Sequence, residues 1–140
     1  MENTWIIYAI LSAVFASLTS ILAKVGIGDI NSHLATAIRT IIVLIMAWIM
    51  VFIVGAQKEI PALHAKNLFF LCISGAATGL SWLFYYKAIQ LGPVSKVAPI
   101  DKLSIVLTIV LAFIFLHEEI TLKGIIGSVL IVAGTLVMIL

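Results

Sequence analysis

The chain has 140 residues, of which 64% are hydrophobic and 10% charged, with a net charge of +2 and a mean hydropathy of +1.30. Soluble domains are roughly 25% charged, so this composition excludes one, and basic residues dispersed singly exclude a nucleic-acid surface and a polybasic lipid patch. At about 20 apolar residues per crossing of a hydrocarbon core about 30 Å thick, the length supplies about five helices and leaves no room for a soluble domain.

The first apolar run, about 4–24, is longer than a signal-peptide core and has no basic residue before it, so it is expected to be a retained helix. Tyr8, Ser12 and Thr19 are its polar line. A second span is expected over about 33–55, with Arg39 a turn and a half inside it, and His33 in the loop before it. The third, about 67–91, carries Ser74, Thr78, Ser81 and Tyr85 along one line with Trp82 and Tyr86 beside it. It also holds the GxxxG pair Gly75 and Gly79, and the single cysteine, Cys72, which excludes an internal disulfide. The fourth, about 97–116, opens with Pro99, Asp101 and Lys102, and the i, i+3, i+7 spacing of Asp101, Ser104 and Thr108 puts them on one face. The fifth, about 122–140, has Gly127 and Gly134 two turns apart.

Polar groups inside a span are costly and must face a partner, a cavity or an interface. Arg39, Ser74, Thr78, Trp82, Tyr85, Asp101 and Lys102 are therefore the expected lining of a solute pathway, the cations favouring a solute with a carboxylate or other anion. A competing reading makes Asp101 the fixed partner of Arg39 or Lys102 and returns each hydroxyl to its own helix carbonyls. If protons are coupled, Asp101 is the candidate acid, with Glu119 at the margin. For Gly75 and Gly79 packing within the chain outweighs a contact between chains, and for Gly127 and Gly134 the two readings are even.

His117, Glu118 and Glu119 lie on a tight loop without metal-ligand spacing. The GIG at 26–28 is too short for a phosphate loop, and neither a GxSxG elbow nor an HExxH helix is present, so no enzyme, metal or cofactor is expected.

An odd number of crossings puts the termini on opposite sides, which suits two copies in opposite orientations, the plan of inverted-repeat transporters. Lys58, Lys66 and Lys123 on one side balance Lys24, Lys87 and Lys96 on the other, and Arg39 and Lys102 near helix ends add to the second. That balance leaves three readings open: chance, insertion in both orientations, and a dedicated homologous partner.

From Tyr85 onward, YYKAIQLGPVSKVAPIDKLSIVLTIVLAFIFLHEEITLKGIIGSVLIVAGTLVMI resembles the EamA domain of the drug/metabolite transporter superfamily. The likeness lies in a Gly-containing turn after the third helix, Pro99 early in the fourth, the helix-ending acid Glu119, and the closing glycines Gly127 and Gly134. Arg39, in HLATAIRTIIVLIM, matches the arginine usual in the family's second helix. The closing GSVLIVAG is also similar to the last helix of small multidrug resistance proteins, which makes Gly127, Leu130, Ile131 and Gly134 the analogues of a dimer stripe. The first-helix glutamate of that smaller family is missing here.

The resemblance implies an all-α, multi-pass helix bundle, a single EamA-like domain over residues 1–140 that forms one half of a ten-helix inverted-repeat transporter. It implies a prokaryotic plasma (inner) membrane, export of small amino-acid-like or amphipathic solutes by alternating access, and an antiparallel homodimer or a homologous half-transporter as partner. A lipid-carrier flippase component and a non-transporting scaffold or accessory subunit are the alternatives.

Overall fold

A computed structural model describes residues 4–140, which form helices and connections with no strand among the described residues. Five helices or helix pairs are long and apolar enough to cross a membrane, so this is an integral multi-pass membrane protein. The spans are α1 (Thr4–Ile27), α2 (Ser32–Val54), α3 (Ala65–Leu91), α4 (Val94–Asp101) continuing into α5 (Ser104–Leu116), and α6 (Leu122–Ile139).

Local chemistry sets the ends. Asn31 caps α2 by accepting a 2.9 Å bond from the His33 backbone N–H, which places His33 in the first turn of the helix and not in the preceding loop. Gly55, at φ 79°, closes α2 in the left-handed region that glycine enters without a Cβ penalty, and its N–H returns to the Phe52 and Val51 carbonyls. A 3₁₀ helix, Ala56–Ala62, follows. At the end of α5 it is His117 that takes the left-handed conformation, φ 54°. Thr121 caps α6 through its hydroxyl, which accepts from the Gly124 N–H at 3.1 Å.

Three spans depart from the boundaries expected above, the first by running on from about residue 24 to Ile27. The third begins at Ala65, a half-turn earlier, and the fourth begins at Val94 and is broken at Lys102–Leu103. Pro99 has no N–H and crowds the preceding turn, and beyond it the ladder tightens to i→i+3 bonds: Leu103 N–H to the Ile100 carbonyl, Ile105 N–H to that of Lys102, and Val106 N–H to that of Leu103. The break leaves Asp101 as the last residue of α4 and Ser104 as the first of α5.

The chain divides into two compact units. One comprises residues up to Leu22 with Leu91–Leu140. In it α6 packs on α4 and α5, the buried Thr135 hydroxyl donates to the Pro99 carbonyl at 3.3 Å, and Lys96 Nζ donates to the Ile139 carbonyl at 2.6 Å. The other, Ala23–Gln90, joins the last turn of α1 to α2 and α3. Its tightest region gathers Ile27, Tyr86 and Ile89, all buried, with the Lys24 ammonium on the Ile89 carbonyl and the Gln90 amide on the Ile30 carbonyl. A cation or amide at these carbonyls satisfies groups a helix end leaves open. Large apolar side chains are exposed along every span, as expected where the solvent is lipid.

Candidate functional site

Within Ala23–Gln90, α2 and α3 enclose an open groove of about 730 Å³. Its α2 wall is His33, Thr36, Thr40, Ile41 and Leu44; its α3 wall is Leu71, Ser74, Gly75, Thr78, Gly79 and Trp82. The spacing is helical on both sides, so each wall is one stripe of one helix. A Cβ built on Gly75 or Gly79 meets nothing within 4 Å, so these glycines leave the groove wall open.

Polarity changes along the groove. Three of its hydroxyls turn back on their own helices: Thr36 donates to the Ser32 carbonyl at 2.8 Å, Thr40 to Thr36 at 2.7 Å and Thr78 to Ser74 at 2.9 Å. Those protons are engaged, and the oxygens keep only lone pairs for a ligand. Ile41, Leu44 and Leu71 make the opposite end apolar.

Arg39 stands beside the polar end. Its guanidinium carbon lies 4.3 Å from the centre of the Trp82 ring and 5.2 Å from that of Tyr86, a cation on two aromatic faces. Its Nη1 is shut from solvent with no hydrogen-bond acceptor, and the Tyr86 hydroxyl beside it is likewise buried without a partner. Unmet donors of this kind are expensive in a medium that offers no water.

The structure thus brings four of the expected pathway residues together: Ser74, Thr78 and Trp82 in the groove wall, and Arg39 against Trp82. Tyr85 is half-buried with its ring 6.3 Å from that of Tyr86. Asp101 and Lys102 lie in the other unit and pair with each other at 3.5 Å, their side chains 39% and 57% exposed. Glu119 sits in the exposed loop between α5 and α6. Gly127 and Ile131 are half-buried on α6, Leu130 and Gly134 exposed, and a Cβ on either glycine meets nothing within 4 Å. His33, Thr36 and Thr40 were not expected in the site, although their spacing beside Arg39 on a capped helix was the readable signal.

Membrane-crossing helices that hold an arginine with an unmet amino group beside a groove define a multi-pass membrane protein with a candidate functional site inside the span. The chain belongs to the EamA-like transporter family, whose model matches residues 3–140. It is 41% identical over 138 residues to an uncharacterized transporter of Sinorhizobium sp., covering 99% of this chain and 98% of that one. It is 29% identical over 136 residues to an uncharacterized protein of Methanocaldococcus jannaschii, covering 97% and 96%. No solved structure matches it.

Proposed function

We propose that this membrane transporter moves a small amphipathic or amino-acid-like solute by alternating access, as an antiparallel pair of copies in a prokaryotic plasma (inner) membrane. The observation that carries the reading is the α2–α3 groove with Arg39 stacked on its wall residue Trp82 and the Arg39 Nη1 buried without an acceptor. A half-buried cation with no counter-charge and one buried, unmet amino group is hard to explain as packing and easy to explain as half of a binding interaction. Arg39, Ser74, Thr78, Trp82, Tyr85, Asp101 and Lys102 line the pathway, and Asp101, with Glu119 at the margin, is the candidate coupling acid.

The pairing rests on length. Both relatives are matched over nearly all of their own chains, so each is about the size of one such domain. An odd number of spans is completed into a two-sided transporter by an inverted copy. Gly127, Leu130, Ile131 and Gly134 form the stripe between copies, where open space around the glycines leaves room for close approach.

Proteoliposomes offered a panel of amino acids, organic acids and drugs, with and without a pH gradient, test the reading. Saturable flux of at least one solute is expected, together with crosslinks between single-cysteine variants that only antiparallel copies allow. Flux of none, or crosslinks of parallel copies alone, would refute it.

A further inference from the structure

We infer that the α2–α3 groove takes a short amphipathic monocarboxylate, its carboxylate on Arg39 and its apolar body along Ile41, Leu44 and Leu71. This deepens the transport reading above and rests on it.

The argument is one of charge and donors. A carboxylate needs donors, and the Thr36, Thr40 and Thr78 protons are already held by backbone carbonyls, which leaves Ser74 and His33 as neutral donors in the wall and Arg39 as the cationic one beside it. Arg39 is the strong donor at the groove, and a planar fork matches a carboxylate better than any other head group except phosphate. Phosphate at two negative charges would leave the site anionic, whereas one carboxylate neutralises one guanidinium.

A zwitterion fares worse than a simple acid. No Asp or Glu lines the groove, so an ammonium would leave water for hydroxyl oxygens and the His33 ring with no counter-charge, an incomplete exchange in a low dielectric. The rest of the wall is apolar from Ile41 onward, which suits hydrocarbon or an aryl ring. From Thr36 to Leu44 is eight residues of helix, about 12 Å at the usual rise. That length takes a phenyl ring on a short chain and not a long acyl tail.

Trp82 supplies the reporter. The guanidinium lies on its ring, so a carboxylate that engages the in-plane N–H groups of Arg39 brings a negative charge beside the indole and changes its emission. Trp5, Trp48 and Trp82 are the three tryptophans, and Trp5→Phe with Trp48→Phe leaves Trp82 alone to report.

The test uses the whole chain in lipid nanodiscs, titrated with 3-phenylpropionate, its amide, phenylalanine and palmitate, with empty discs subtracted. Trp82 fluorescence is read in the double variant, and calorimetry on the unmodified protein gives the same comparison should that variant fold poorly. The acid is expected to bind at least tenfold tighter than the amide or phenylalanine, with palmitate weaker than the acid. Arg39→Gln is expected to remove the preference for acid over amide. Equal affinity for acid and amide, tighter binding of phenylalanine, or tighter binding of palmitate would each overturn the assignment. Tight acid binding without flux of any solute would instead overturn the transport reading and leave the site in place.

Discussion

Arg39 is the residue on which two opposed energies can be weighed. Its stack on Trp82 and Tyr86 is worth about 0.5–2 kcal/mol when desolvated. Its buried, unmet Nη1 costs about 1–3 kcal/mol. The two nearly cancel, so a residue kept there for stability alone gains little over an apolar one. Arg39→Met should therefore change thermal stability by no more than about 1 kcal/mol, measured by melting in detergent, while flux falls at least tenfold. A large loss of stability with flux retained per folded molecule would make Arg39 a packing residue. The sequence pointed to Arg39 by its depth in an apolar run, since cost in hydrocarbon depends on residue type and position. Its neighbours were less legible: which α3 side chains meet it depends on how two helices approach, and no local pattern contains that.

At the scale of the element, the fourth span is the informative one. Its apolar run reads as a continuous helix with a polar face, but Pro99 interrupts the backbone ladder, and the tightened turns after it place Asp101 at the end of α4 beside Lys102. The buried Thr135 hydroxyl adds a bond to the Pro99 carbonyl from α6. Broken helices in membrane transporters place backbone polar groups where ions or solutes can use them. Pro99→Ala restores an N–H for the Ser95 carbonyl and should stabilise the fold by about 1 kcal/mol, with slower flux if the break serves transport. A melting temperature that falls would show that the proline geometry is needed for packing. Gly75 and Gly79 carry a similar lesson. Spacing identified them as a motif, yet whether a small residue admits a helix or leaves a groove is decided by what lies opposite.

For the whole molecule, the lysines that count toward orientation are partly engaged in structure: Lys24 on the Ile89 carbonyl and Lys96 on the Ile139 carbonyl. The near balance of basic residues between the two sides is what the proposed insertion both ways round requires. With Cys72 replaced by Ser, a cysteine in place of Lys58, an exposed residue of the 3₁₀ helix, should react with membrane-impermeant thiol reagents from both faces of the membrane. Labelling from a single face, without a reversed partner, would remove the antiparallel pair.

The amino-acid sequence by itself determined the solvent, the number of crossings, most of their boundaries to within a residue or two and the family, because apolar length, caps and breakers act locally along a chain. Only the tertiary structure decided that Arg39 rests on Trp82 and Tyr86, that His33, Thr36 and Thr40 share a groove with Ser74 and Thr78, and that Asp101 turns to Lys102. In lipid, helices gain nothing from hiding apolar faces, so contacts are chosen by shape and by the satisfaction of a few polar groups, and neither is written in hydropathy.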